Sequence, residues 1–170
     1  MDSRSNGLHI TVAAPTVTVF GREEIAAHLA AALDRTKLYI LLMLNCGMTQ
    51  KDIADLDLSE VDWEAGRIRR KRSKTRNCEN VPVVCYPLWT ETLRLLQQER
   101  TKKTSGRVLL NERGRPLWTS EAAANGKLRR IDNIHDALSR VQKKTGIAKP
   151  PKSFKKTAAS MLRDNPRYAS

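Results

Sequence analysis

Hydrophobic residues in the first third of the chain predict two helices of different character. Ile25, Leu29 and Leu33 recur every four residues, which predicts one apolar face on a helix that begins near Arg22. The following stretch, Lys37–Cys46, is apolar on nearly all sides. A helix of that kind has no face suited to water, so we expect it to be the buried centre of the domain.

The end of this central helix is marked by turn and capping residues. Gly47 is a typical stop for a helix, because glycine adopts the left-handed conformation without strain. Thr49 and Asp52 then form a capping-box pattern, in which each side chain satisfies a free N–H group of the other residue. They predict a short helix that ends near Leu56.

The middle of the chain alternates between polar and apolar residues and predicts strands. Leu58–Trp63, Arg67–Arg76 and Val81–Tyr86 are separated by turn residues and predict a small antiparallel sheet of three strands. Pro82 indicates that the last of these strands lies at an edge. Pro87 is suited to the first turn of the next helix.

Two further helices are predicted in the C-terminal third. Ile131–Lys144 carries a helical stripe and stops before Gly146, and Ser153–Arg163 follows a break at two prolines. The fold class is therefore α+β and mainly helical, with helices around a small antiparallel three-stranded sheet. We expect residues 1–18 to be a linker or disordered N-terminal arm and residues 19–170 to form one domain.

The net charge points to a polyanionic partner. The chain has 170 residues, a net charge of +13 and an isoelectric point near 10.1. Such a surplus favours nucleic acid over a membrane surface. No apolar run approaches the ~20 residues of a membrane span, and no secretory signal precedes the domain. The three cysteines have no metal-ligand spacing and indicate reduced thiols of a cytoplasmic protein. With DNA as the partner, we expect the protein to be nucleoid-associated.

The most basic stretch lies at the predicted hairpin. Seven of the ten residues from Arg67 to Arg76 are basic and none is acidic. Lys74 beside a phosphodiester could donate a proton to a departing hydroxyl, although charge alone favours plain phosphate contacts for it. The candidate DNA contacts in this stretch are Arg69, Arg70, Lys71, Arg72, Lys74 and Arg76.

A second cationic cluster opens the last helix. Lys152 and Lys155 are three positions apart and share one helix face, with Lys156 beside them. Free N–H groups at a helix N-terminus add to the attraction for an anion. This cluster is either a phosphate site or a set of solvated lysines.

The segment from Thr49 to Leu56 offers an alternative function. It resembles the opening of a helix-turn-helix, which a non-enzymatic transcriptional regulator would use to bind DNA. That function needs a recognition helix a few residues later, whereas the sequence continues with an acidic, strand-like stretch. RNA binding is a weaker possibility.

Other chemistries have no pattern in the sequence. There is no glycine-rich phosphate loop, no metal-ligand cluster and no Ser-His-Asp arrangement. We therefore expect no cofactor, no metal and no small-molecule substrate. His28 is expected to be a helix surface residue.

Four motifs in order resemble the catalytic domain of the tyrosine recombinases, the phage integrase family. Cys46–Leu56 is similar to that family's Thr-Gly-x-Arg-x-x-Glu-Ile-x-x-Leu motif, and Glu60–Asp62 to its Asp-Val-Asp. Lys74-Thr75 and Val81–Val83 are similar to its hairpin. Lys152–Ala159 aligns with the family's His-x-x-Arg-His-Thr-x-Ala box.

The resemblance implies a chemistry that uses no metal. In the family a tyrosine attacks a DNA phosphodiester, two arginines and a histidine bind the phosphate, and the hairpin lysine protonates the leaving oxygen. Lys74 matches that lysine. Thr49 stands at the first arginine position, Lys152 at the histidine and Lys155 at the second arginine. Lysine retains charge but lacks the two-pronged grip of guanidinium.

The resemblance also implies a domain that has lost its nucleophile. The family's Leu-Gly-His segment and tyrosine have no counterpart before Ser170, and Tyr168 is too close to the box. We therefore expect a degenerate or C-terminally truncated integrase-like domain of DNA recombination and integration. It should bind double-stranded DNA, associate with copies of itself there, and not cleave DNA alone.

Overall fold

The computed structural model describes residues 18–71, 81–122 and 126–163. The N-terminal arm predicted for residues 1–18 lies outside the described residues except for Thr18. The helices are α1 (Arg22–Ala31), α2 (Asp34–Cys46), α3 (Gln50–Ala54), α4 (Thr90–Glu99), α5 (Asn133–Thr145) and α6 (Lys152–Arg163). The strands are β1 (Val61–Asp62), β2 (Arg67–Arg70), β3 (Val84–Pro87), β4 (Trp118–Ala122) and β5 (Leu128–Asp132).

Helix α2 is the centre of the domain, as its all-round apolar sequence predicts. Leu38, Ile40 and Leu42 are completely buried, and α2 packs against α1, α4, α5 and α6. It begins three residues before the predicted start. Burial of each such side chain stabilises the fold by roughly 1.5–3 kcal/mol. The longest helices in the described ranges have 13 residues, well below the ~20 needed to cross a bilayer.

The first sheet has three antiparallel strands, as predicted, but they are shorter than predicted: Leu58–Glu60 form a 3-10 turn before β1, and residues 81–83 precede β3. Its order is β1-β2-β3, and Ile68 of β2 pairs with Val61 on one side and Tyr86 on the other. Ile68 is fully buried and joins the sheet to the core. Strand β3 lies at an edge, as expected. Helices around a three-stranded sheet confirm the α+β, mainly helical class.

Pro87 does not open a helix, contrary to the sequence prediction. It is the last residue of β3 and pairs with Arg67. Helix α4 begins three residues later, at Thr90. The backbone of the intervening turn is held by Asn45, whose side chain donates to Pro87 O and accepts from Trp89 N. The tertiary contact with α2 thus displaces the helix start.

Two predictions about α1 were wrong because of its neighbours. Leu33 lies after the end of α1 and is 77% exposed rather than part of the buried stripe. His28 is completely buried rather than on the surface. Its ring packs edge-on against Phe20 and Phe154, and its Nδ1 lies 2.7 Å from Glu24 O.

A second hairpin was not predicted. Strands β4 and β5 pair antiparallel from Trp118↔Asp132 to Ala122↔Leu128 and form a separate two-stranded sheet. Ile131, predicted to begin a helix, is therefore a strand residue. Helix α5 begins at Asn133, where the Asp132 carboxylate accepts from His135 N and caps the first turn.

Candidate nucleic-acid interface

The loop between α2 and α3 positions Thr49 at a helix start. Gly47 adopts the left-handed conformation with φ 60° and ends α2. Thr49 then caps α3: its hydroxyl oxygen accepts from Asp52 N at 3.3 Å, and Asp52 Oδ2 accepts from Thr49 N at 3.0 Å. The predicted capping box is therefore confirmed. Thr49 is exposed but contributes a helix cap rather than a positive charge.

Lys155 of α6 lies directly against this loop. A Cβ placed on Gly47 would be 3.8 Å from Cγ and 3.9 Å from Cε of Lys155. The lysine stem therefore crosses the glycine at van der Waals distance. A larger residue at position 47 would require a strained backbone and would contact the lysine stem. The end of α2 and the start of α6 thus form one surface.

The rotation of α6 is fixed by its buried face. Phe154 stacks on Phe20 with ring centroids 4.1 Å apart. The Thr157 hydroxyl accepts from Phe20 N at 2.7 Å and donates to Ser153 O at 2.7 Å. Because these residues face inward, the lysines between them turn away from the core. Lys152 is exposed, and Lys155 and Lys156 are half-buried.

The base of the basic hairpin reaches the same loop through Arg70. Arg70 is only 3% exposed. Its Nη1 donates to Asp52 O, and its Nε is 3.8 Å from Glu60 Oε1. Arg70 therefore holds β2 to α3 inside the domain, and its burial corrects the prediction that it faces outward with the other cations. A small recess here is lined by Cys46, Gly47, Met48, Asp52, Arg70 and Tyr86.

Of the other cations predicted to contact DNA from the hairpin, the structure describes two and leaves three outside the described residues. Arg69 is exposed, as the alternation of β2 requires, and Lys71, which follows the strand, is half-buried. Arg72, Lys74 and Arg76 lie outside the described residues, so their roles stay predictions. The described base of the hairpin nevertheless ends beside the loop that Lys155 covers.

A cluster of charged residues supports the other side of α3. Lys51 Nζ and Arg107 Nη1 each lie 2.5 Å from a carboxylate oxygen of Asp55, and Arg107 also donates to Ala54 O. Burial tends to raise the pKa of Asp55, but the hydrogen bonds from Lys51 and Arg107 outweigh it, so the pKa lies below its usual value. The cluster fixes the C-terminal end of α3.

The sequence reasoning missed the cations of β5. Arg129 and Arg130 are exposed on the second hairpin. The signal was present, because Asn125-Gly126 is the dipeptide most typical of a tight hairpin turn. Gly126 has φ 74° and lies in the five-residue connection between Ala122 and Leu128. The long helical pattern that follows obscured it.

Comparison with known proteins agrees with this architecture. The sequence profile of the phage integrase family matches residues 19–164. The chain belongs to the phage integrase family. No curated protein matched in the sequence comparison.

Solved structures of integrases and recombinases share the fold. The XerA recombinase superposes with a TM-score of 0.63 at 19% identity, over 90% of this chain and 55% of that one. The Tn1549 transposon integrase in complex with circular intermediate DNA gives 0.61 at 14% identity, over 91% and 57%. A lambda integrase tetramer bound to a Holliday junction gives 0.59 at 14% identity, over 88% and 43%. The chain thus spans about half the length of these relatives.

Proposed function

We propose that this integrase-family domain belongs to a site-specific recombinase of DNA recombination and integration, and that it binds double-stranded DNA. One observation carries the proposal: Lys155, Thr49 and the base of the 67–76 hairpin meet around Gly47. These elements come from distant parts of the sequence. Cationic segments from two distant parts of the chain beside one loop suit contacts with a phosphate backbone.

The solved relatives support DNA as the partner. Tn1549 integrase and lambda integrase were solved with DNA, as was the XerH recombinase bound to its difH substrate. On this proposal Arg69, Lys71, Arg72, Lys74 and Arg76 contact DNA from the hairpin, together with Lys152, Lys155 and Lys156 from α6. A nucleoid-associated location and self-association on DNA follow from the same proposal.

Binding is tested with a triple variant of the hairpin. Arg69→Gln/Arg72→Gln/Lys74→Gln removes three charges, and Arg140→Gln/Lys143→Gln/Lys144→Gln removes three from the exposed face of α5. Fluorescence anisotropy with a labelled duplex should show affinity reduced on the order of 100-fold for the hairpin variant at moderate salt. A wild-type chain without measurable affinity, or two variants with equal affinity, would refute the proposal.

We further propose that these 170 residues do not cleave DNA by themselves. Lys74 stands at the family's proton-donor position, and Lys152 and Lys155 stand at two of its phosphate-binding positions. Lysine lacks the bidentate geometry of arginine, and Thr49 adds no charge where the family has its first arginine. A nicked suicide duplex incubated with the chain should give no covalent adduct on a denaturing gel. An adduct would contradict this proposal.

The alternative of a helix-turn-helix regulator is not favoured by the structure. Helix α3 has five residues and is followed by a 3-10 turn and strand β1, not by a recognition helix. Lys51, which would face DNA in that alternative, contacts Asp55 and Trp118. If Lys51→Glu abolished DNA binding while the hairpin variant retained it, the regulator would be the better explanation. Competition between duplex DNA and RNA for the chain distinguishes a DNA-binding domain from an RNA-binding one.

Self-association is tested by sedimentation velocity. The chain alone and the chain with a duplex are compared at equal protein concentration. A complex with two or more chains per duplex is expected on DNA long enough for two sites. A single chain on every duplex length would refute this part of the proposal.

A further inference from the structure

The β4–β5 hairpin is the most exposed regular element of the described residues. Glu121, Ala122 and all of β5 up to Ile131 are exposed. Leu128 is 72% exposed and Ile131 is 39% exposed. A two-stranded hairpin this exposed gains little from burial of its own, so its position depends on the contacts at its base.

Those contacts hold the hairpin against α3. Two cations lie near the ring of Trp118. Lys51 Nζ is 4.3 Å and the Arg130 guanidinium carbon is 5.6 Å from the ring centroid. Gln50 Nε2 donates to Asp132 Oδ2 at 3.2 Å. Gln50 directly follows Thr49, so the hairpin borders the surface described around Gly47.

The two arginines of β5, Arg129 and Arg130, are exposed. Asp132 is the acidic residue of the strand, and its carboxylate accepts from Gln50 Nε2 and His135 N. Among the residues that the structure describes, no carboxylate lies within ion-pairing distance of Arg129 or Arg130, although Glu121 is the cross-strand neighbour of Arg129. Each guanidinium is a charged donor that can bind two oxygens of one phosphate. Because successive residues of a strand point to opposite faces, Arg129 and Arg130 lie on different faces of the hairpin.

We propose that strand β5 is a second DNA-contacting element, in which Arg129 and Arg130 bind backbone phosphates beyond those held around Gly47. This inference rests on the proposed function. Trp118 would act as the anchor that keeps the hairpin in place, since its ring contacts both α3 and Arg130. The contact would add affinity without reading sequence, because arginine–phosphate contacts carry no base information.

The test compares two double variants of equal charge. Arg129→Gln/Arg130→Gln removes the β5 cations, and Lys143→Gln/Lys144→Gln removes two exposed cations from the last turn of α5. The affinity for a long duplex is measured over a range of salt concentrations. The slope of log affinity against log salt should become shallower by about 2 for the β5 variant, since each phosphate contact contributes about 0.9. The affinity should fall on the order of 10-fold, with little change for the α5 variant.

A conservative variant separates charge from folding. Arg129→Lys/Arg130→Lys retains the positive charge and should keep most of the wild-type affinity and salt slope. Equal affinity and slope for the β5 and α5 variants would overturn the inference while wild-type binding leaves the proposed function intact. If the wild-type chain does not bind duplex DNA, the proposed function fails first. If the β5 variant binds duplex DNA as tightly as the wild-type chain but has lost affinity for an acidic protein, the surface is a protein-binding site instead.

Discussion

Both hairpins carry cations, seven from Arg67 to Arg76 and three from Lys127 to Arg130, but they are built in different ways. In β2 the residues alternate, so Arg67 and Arg69 face water while Ile68 and Arg70 face the core. In β5 the residues from Leu128 to Ile131 are all exposed. The first hairpin is part of the domain core, and the second is attached to it through Trp118. A basic residue of β2 can therefore be buried in the core, as Arg70 is, whereas the basic residues of β5 are exposed.

This difference shows that charge in a sequence does not reveal where the charge is used. Arg70 lies in the most basic stretch of the chain and yet is among its most buried polar residues. Its guanidinium joins β2 to α3 through Asp52 O and lies near Glu60. Arg129 lies in a less conspicuous stretch and is exposed. Position in the strand, rather than local charge density, decides the role.

The largest expected effect is the loss of Arg70. Arg70→Met keeps the length of the side chain but removes the guanidinium that donates to Asp52 O and faces Glu60. Breaking a buried charged contact costs about 3 kcal/mol of unfolding free energy. Urea denaturation followed by circular dichroism measures the change. The neighbouring, exposed Arg69→Gln should change stability by less than about 0.5 kcal/mol, and equal effects of the two would show that Arg70 is not structural.

A smaller and more local effect is expected for Trp118. Trp118→Ala removes the ring that Lys51 and Arg130 contact, and also part of the packing against the core. Because Trp118 is only half-buried, we expect a cost of about 2 kcal/mol, below the range for a fully buried tryptophan. Amide hydrogen exchange should show lost protection in β4 and β5 with unchanged protection in β1–β3.

The matched control for Trp118 is an exposed tryptophan. Trp89 is 51% exposed and lies before α4. Trp89→Ala should leave exchange in β4 and β5 unchanged. Loss of protection across both sheets in the Trp118 variant would mean that the second hairpin is not an independent unit.

An effect of intermediate size is expected at Asp55, which joins α3 to the loop before β4 through Arg107. The stability that this contact contributes should depend on pH. Hydrogen bonds from Lys51 and Arg107 overcome the effect of burial and hold the pKa of Asp55 below its usual value. A carboxylate with a lowered pKa stabilises the folded state fully above its unfolded pKa of about 3.9, and that stability is lost as pH falls through the folded pKa. Asp55→Asn should cost about 1–2 kcal/mol at pH 7.

Measuring stability at several pH values tests whether the ionised form of Asp55 is the stabilising one. The stability difference between wild type and Asp55→Asn should shrink as the pH is lowered from 5 toward 3, measured as urea midpoints. Glu112→Gln, at an exposed position, should follow the wild-type curve. A constant difference at every pH would mean that the ionised Asp55 does not contribute.

Local sequence signals predicted much of the fold, and tertiary contacts decided the rest. The central helix, its Gly47 stop and the Thr49–Asp52 cap follow from residues close together in the chain, and the structure confirms all three. The burial of His28 depends on Phe154, more than a hundred residues away. The start of α4 depends on Asn45. Local patterns contain no information about such partners.

The candidate site shows the same division. The sequence predicted only that the motifs containing Thr49 and Lys155 occur in the family's order. The contact of Lys155 with Gly47 depends on the packing of Phe154 on Phe20. The alternation rule of a strand, applied to β2, would have separated Arg69 from Arg70 at the sequence level. The Asn125-Gly126 dipeptide would have indicated β4 and β5.

The smallest effect on stability, and the sharpest comparison, comes from one arginine in each hairpin. Arg69→Gln and Arg129→Gln both remove an exposed guanidinium, so each should change the unfolding free energy by less than about 0.5 kcal/mol. If both hairpins contact DNA, each variant should make the salt slope of binding shallower by about 1. Because well-separated contacts act independently, the double variant should show the sum of the two changes. An unchanged slope for Arg129→Gln alone would confine DNA to the first hairpin, and a double variant much weaker than the sum would indicate that the two hairpins hold the duplex cooperatively.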